Sequence, residues 1–376
     1  MEEDLMYILY DETKENCFVD LGAMQFFQVP FPVKQPSAFR FTLDEEYLES
    51  ELEKMKEYFN RDGMPKFIFF DLSRIQRCSA RTFKLIVECF NDLHLSFCNI
   101  QTNCDELIKM YYSDVHGVES EQYNRAMRSL SSYGDGVQLQ IKYFSQQSEL
   151  KEQDDKYWKS LVNLREKKWC ELLEECNIPE PEELFPHNSK KANKYFDLSL
   201  LDFNVGKFKS MIYYLILKLI DWIRAHPNIK CGLIEQNNFK GKKKEVFLIS
   251  SSVTGAIIAN AIGCYLNVPT FFVLSLGPEK RNTAKIRRLR KGINLNAIKN
   301  DMIYVFDIIR FGQEYRDLKT VLEISAKGEV IAALGMANYY NNIRGEKTSE
   351  EVEIVSLVNI KNNQGILNYK VEEKVN

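Results

Sequence analysis

The chain lacks the cysteine and histidine patterns that hold metals. Its nine cysteines, Cys17, Cys78, Cys89, Cys98, Cys104, Cys170, Cys176, Cys231 and Cys264, include no CxxC pair, and its four histidines, His94, His116, His187 and His226, stand far apart. Structural zinc needs ligands at close, paired spacing, so this distribution argues against a metal centre. Several cysteines lie inside apolar runs, which predicts buried free thiols in a reducing cytoplasm rather than disulfides. A strong net charge is also missing, since 50 lysines and arginines face 53 acids for a net of −3. No global field recruits nucleic acid or a membrane, and such a partner would need a local patch. Residues 1–4 are acidic where a secretory leader would be basic. The most apolar helical stretch, 208–223, carries Lys209, Lys218 and Asp221 and falls short of the roughly 20 residues that span a bilayer. The expectation is a soluble, cytoplasmic chain without internal repeats or low-complexity tracts.

What is present is enough apolar material for more than one core. With 376 residues, 45% of them hydrophobic, about two domains are expected. Two short strand-like runs, MYILY and CFVDL, flank the turn-prone DETKEN. After the proline-rich VPFPVKQP, residues 43–60 repeat apolar side chains at helical spacing behind the acidic group Asp44, Glu45 and Glu46. KFIFFDL is a strand, 79–93 a helix, 96–102 a strand, and 105–112 the start of a helix. This alternation predicts a small α/β domain over 1–150. Residues 121–153 are polar, and a charged helix over 154–176 carries an apolar stripe that includes Trp158, Leu161, Trp169 and Leu172. It opens a second domain over 151–376, whose segment 154–223 is largely helical.

From Lys244 the pattern becomes regular. EVFLIS reads as a strand, SSVTG as a loop of small residues, AIIANAIGCYL as a helix, and TFFVLSL after Pro269 as a second strand. A βαβ unit of this kind puts its first loop at the ligand edge of a parallel sheet. Ser250, Ser251, Ser252 and Thr254 offer hydroxyls there, and Gly255 permits close approach at the helix start. A plain helix cap is the commoner use of such residues. Next comes PEKRNTAKIRRLRKGINLNAIKN, in which Lys280, Arg281, Lys285, Arg287, Arg288, Arg290 and Lys291 gather without an acid between them. It reads as a solvated loop or helix face, as a cationic arm over a polyphosphate, or as a nucleic-acid patch; the last lacks interleaved aromatics for base stacking. The apolar run MIYVFD then ends in Asp307 and breaks into a loop of Arg310, Phe311, Gly312, Gln313 and Glu314 before a helix. Such a loop is where open α/β sheets hold phosphate, although Glu314 would repel it unless turned away.

The order of these pieces resembles the type I phosphoribosyltransferases, and among them the orotate phosphoribosyltransferases, over residues 185–360. Lys191, Tyr195 and Asp197 in HNSKKANKYFDLSLL are similar to the segment that opens the family's substrate hood. SSSVTGAIIANAIGCYLNVP is similar to its pyrophosphate loop and following helix. Residues 302–314 fall on its signature for phosphoribosyl pyrophosphate, and EVEIVSLVNI on its closing strand. The resemblance implies a parallel-sheet domain in which Ser251, Ser252, Thr254 and Gly255 hold pyrophosphate. Lys280 and Arg281 would serve as catalytic-arm cations, Asp307 would bind ribose, and 310–314 would take the 5′ phosphate. Mg²⁺ would bridge the ligand, and a homodimer would share its arms. Phe306 stands where the family has the first of two adjacent acids. Two functions stay open: transfer of a phosphoribosyl group to a nucleobase with release of pyrophosphate, or a catalytically inactive module that senses a nucleotide or a protein partner. In the first domain, DLSRIQRCSARTFKLIVECF resembles the strand, loop and helix of STAS domains, with Ser79, Ala80, Arg81 and Thr82 at the helix start. The first domain reads as a packing or partner-binding domain, with a regulated switch as the alternative.

Overall fold

Apolar runs bounded by turns make the strands of this chain, and amphipathic runs with capped starts make its helices. The computed structural model describes residues 5–28, 39–77, 80–90, 93–98, 144–145, 154–178, 190–192, 195–198, 204–232, 234, 244–274, 285–288, 301–309, 328–338, 352–359 and 371–373. Two units emerge, Met1–Pro30 with Phe39–Arg165, and Phe31–Ala38 with Glu166–Asn376.

The first unit contains β1 (Ile8–Tyr10), β2 (Asn16–Asp20), α1 (Leu21–Gln28), β3 (Phe41–Thr42), α2 (Glu45–Asp62), β4 (Phe67–Asp71), β5 (Ile75–Arg77), α3 (Ala80–Cys89), β6 (His94–Cys98) and β7 (Phe144–Ser145). Its sheet has the order β1-β2-β4-β6-β7, with β2, β4 and β6 parallel and the two outer strands antiparallel. Helix α2 starts as its acidic cluster predicts. Asp44 is the N-cap and accepts from Tyr47 N at 2.8 Å, while Leu48, Leu52, Met55 and Phe59 are buried. Phe18 stacks on Phe69 across β2 and β4 at 5.0 Å. Asp20 and Asp71, side by side in register and both buried, are bridged by Arg165 Nη2 at 3.2 and 3.4 Å. Arg165 belongs to α4 (Asp154–Glu175), inside which the division between the units falls.

The second unit continues with β8 (Asn177–Ile178), β9 (Lys190–Ala192), β10 (Tyr195–Phe196), α5 (Val205–Ala225), β11 (Ile229–Lys230), β12 (Lys244–Ser250), α6 (Val253–Leu266), β13 (Thr270–Leu274), β14 (Lys285–Arg288), β15 (Asp301–Val305), β16 (Ile308–Ile309), β17 (Val330–Asn338), β18 (Glu353–Asn359) and β19 (Val371–Glu373). Eight strands form one sheet along the path β14-β13-β12-β15-β17-β16, with β11 on β12 and β18 on β17. Every pairing in it is parallel except that of β13 with β14. This is a mixed α/β chain with a mainly parallel sheet in its C-terminal part, as the alternating pattern predicts.

Helix α6 lies on β12, β13 and β15, and α5 on β17 and β18. The apolar segment expected at 208–223 is α5, largely buried and capped by Asn204, which accepts from Lys207 N at 3.0 Å. No helix among the described residues is long and apolar enough to cross a membrane. Six cysteines among the described residues are free thiols, and Cys17, Cys170, Cys176 and Cys231 are buried. The basic stretch after β13 departs from the expected loop or helix: Lys285–Arg288 forms a strand against β13. The closing strand expected from EVEIVSLVNI is β18, and its long parallel partner β17 is an addition to the sequence reading.

Candidate functional site

The parallel sheet gathers the carboxyl ends of β12 and β15 at one edge. Val246–Ile249 pair with Asp301–Tyr304 in register, so the two strands end together. After β12 the chain turns through Ser250, Ser251 and Ser252 into α6. Ser252 is the N-cap, its Oγ accepting from Gly255 N at 3.0 Å and its carbonyl from Ala256 N at 2.9 Å. The commoner use of a serine at a helix start is thus the one Ser252 has. Ser250 is buried, with Oγ 3.4 Å from Ser252 O. Ser251 Oγ meets Tyr304 OH at 2.9 Å and so ties the turn to the neighbouring strand. Thr254 is half-buried, and among the described residues its hydroxyl meets no partner.

Gly255 explains how the turn approaches β15 so closely. A Cβ there would lie 2.8 Å from Val305 O and 2.4 Å from Ser250 Oγ, so only a glycine lets α6 start against the strand end. The first helical N–H groups of α6 thus open beside the end of β15, in a geometry suited to an anion.

Beyond β15 the ladder continues for two residues. Phe306 N donates to Leu334 O at 3.0 Å, and Asp307 O accepts from Met336 N at 3.0 Å. The register brings Phe306 opposite Gly335, and the aromatic ring lies on that glycine. A Cβ at Gly335 would come within 2.3 to 2.6 Å of three ring carbons. Phe306 is only 3% exposed, which makes it a core residue of the strand end. Asp307 is half-buried, and its Oδ1 accepts from Ile308 N at 2.7 Å, a local turn that orients the carboxylate.

The structure therefore brings Ser251, Ser252, Thr254 and Gly255 to the edge at which β15 delivers Asp307. Lys280, Arg281, Arg310, Phe311, Gly312, Gln313 and Glu314 lie outside the described residues. Lys191 sits in β9 opposite Glu372, and Tyr195 in β10 opposite Ile178. Two contributors escape sequence reasoning, Tyr304 and Gly335. A tyrosine inside the apolar run MIYVF is the available signal for the first; the second becomes visible only through its register with Phe306.

Magnesium requires oxygen ligands in octahedral array, usually one or two carboxylates together with ligand phosphates. Among the described residues no three His, Cys, Asp or Glu side chains cluster to hold a metal. At the end of β15 Asp307 is the carboxylate among the described residues, with Oδ1 accepting from Ile308 N, so a magnesium ion held there would take its further oxygens from a ligand's phosphates.

No family model and no curated protein sequence matches the chain. Among solved structures it is similar to adenine phosphoribosyltransferase from Thermoanaerobacter pseudethanolicus, at 15% identity and a TM-score of 0.33, over 51% of this chain and 99% of that one. It is similar to orotate phosphoribosyltransferase from Aeropyrum pernix at 15% identity and a TM-score of 0.31, over 51% and 93% of the two chains. UMP synthase from Leishmania donovani is similar over 85% of this chain and 75% of its own, at 10% identity and a TM-score of 0.34. At such identities and TM-scores the likeness assigns neither a ligand nor an activity to this chain.

Proposed function

We propose that the second unit binds a phosphorylated ribose or a nucleotide at the shared carboxyl edge of β12 and β15, in the manner of a phosphoribosyltransferase. The observation that carries this reading is the junction of the serine turn with the end of β15, through Ser251 to Tyr304 and Gly255 to Val305. In this reading Ser251, Thr254 and the first N–H groups of α6 receive the pyrophosphate or phosphate. Gly255 gives the ligand room, Asp307 accepts from a ribose hydroxyl, and Arg310 to Glu314 take the 5′ side. Lys280 and Arg281 neutralise developing charge, while Lys191 and Tyr195 belong to the hood over the base.

Transfer would break the C1′–O bond to pyrophosphate and form a C1′–N bond to a nucleobase through a state resembling an oxocarbenium ion. Catalysis would then rest on orientation and charge stabilisation. A specific observation favours a second reading, binding without transfer. The buried ring of Phe306 stands where the resembled family has an acid, so one carboxylate fewer faces the ribose and magnesium would arrive only with ligand phosphates. For the first unit we propose a STAS-type role in binding a protein partner, and for the whole a cytoplasmic homodimer.

Calorimetric titration of the full chain with phosphoribosyl pyrophosphate and a panel of nucleotides, with and without Mg²⁺, tests this. Heat of binding is expected, with an affinity about tenfold weaker in Thr254→Val, as the loss of one hydrogen bond to an anion implies. Pyrophosphate release on adding a nucleobase would establish transfer, and its absence alongside binding would establish the sensor. Absence of heat with every ligand overturns the site.

A further inference from the structure

In the first unit, the small ribbon of β3 and β5 sets two arginines side by side. Its strands run parallel with Phe41 opposite Ile75, and Phe41 N donates to Arg74 O at 2.8 Å. One step back on each strand stand Arg40 and Arg74. Arg74 lies in the turn closed by Ile75 N donating to Leu72 O at 2.9 Å, and the bond from Phe41 N holds its backbone against that of Arg40 and Phe41. Arg74 is only 7% exposed. Arg40 is half-buried, and its Nε is sealed from solvent with no hydrogen-bond acceptor. Burial, together with the Arg74 charge beside it, lowers the Arg40 pKa, so the two guanidiniums feel each other.

Among the described residues neither arginine forms an ion pair. The buried acids of this unit are engaged by other groups, Asp20 and Asp71 by Arg165 and Glu51 by Tyr7 and Lys54. Two neighbouring guanidiniums, one buried and one half-buried, with no counter-charge among the described residues repel each other, and a bound anion would supply the missing charge. Guanidiniums offer planar forks of donors that match tetrahedral oxyanions. A carboxylate would neutralise one of the two charges; a phosphate dianion neutralises both. We infer that Arg40 and Arg74 form a binding site for a phosphate dianion, reached from the exposed side of Arg40 and separate from the serine turn of the second unit.

The test is thermal unfolding of the full chain in inorganic phosphate at constant ionic strength, repeated with glycerol 3-phosphate. A saturable rise in Tm is expected for the natural chain. Arg40→Gln should unfold at the same or a higher Tm without phosphate, because it removes a repulsive charge, and should lose the saturable rise. Ser251→Ala should keep it, which separates this site from the one in the second unit. Equal responses to the two probes locate recognition in the phosphoryl group, and a larger response to the ester extends the site to what the phosphate is attached to. If Arg74→Gln fails to fold, Arg40→Gln still decides. The inference is overturned by a natural chain that shows no saturable rise, or by Arg40→Gln that keeps the full one.

Discussion

At the scale of the residue, Phe306 and Gly335 act as one piece. The ring fills the space that any side chain at 335 would need, so Gly335→Ala should destabilise the chain by about 1–3 kcal/mol, the usual penalty of overpacking. In a Phe306→Ala background the same substitution should lose most of that effect. Denaturant unfolding of the four variants of this cycle measures the coupling; independent, additive effects would refute the contact. Asp307 was readable as a functional candidate because it ends an apolar run. The fate of Phe306 was not readable, since an aromatic residue at a strand end can face a ligand or the core. Its place was decided by a glycine 29 positions away that only the strand register brings opposite.

At the scale of the element, α6 shows how one short run can be read two ways. Its serines and threonine suit both a cap and an anion cradle, and the structure divides them: Ser252 caps, Ser251 ties to β15, and Thr254 stays uncommitted among the described residues. Ser252→Ala should therefore cost about 1 kcal/mol of stability, seen in denaturant unfolding, while ligand titration changes less than for Thr254→Val. The strand, loop, helix and strand of this unit were legible because periodicity switches cleanly between EVFLIS, AIIANAIGCYL and TFFVLSL. Strand β17 was not, because VIAALGMAN is continuously apolar and small, a composition shared by buried strands and buried helices. Its partners on both sides, β15 and β18, decide the matter through pairing that no local pattern encodes.

At the scale of the whole molecule, the buried thiols give stability a dependence on pH. Burial raises Cys231 from 9.0 to about 12. Burial, with the nearby charges of Glu175 and Asp197, brings Cys176 to about 12. Burial, with Glu166, Glu171 and Glu174, brings Cys170 to about 11. A folded pKa above the unfolded one means that the folded chain holds its protons longer. The stabilisation from these thiols is full below pH 9 and is lost as the pH climbs towards 11 and 12. Denaturant midpoints measured from pH 8 to 11 should fall, less steeply in Cys231→Ala; an unchanged slope in that variant would contradict the assignment. The cysteine pattern announced free thiols at the level of the sequence, but how deeply each is buried belongs to the packing.

The ring of Phe306 also acts as a ratchet on what this chain can become. An aspartate placed at that single position would enter a spot only 3% exposed, losing its water without gaining a partner, and would leave empty space above Gly335. A second acid beside Asp307 thus requires several changes made together, one to admit the carboxylate and another to fill the space the ring leaves.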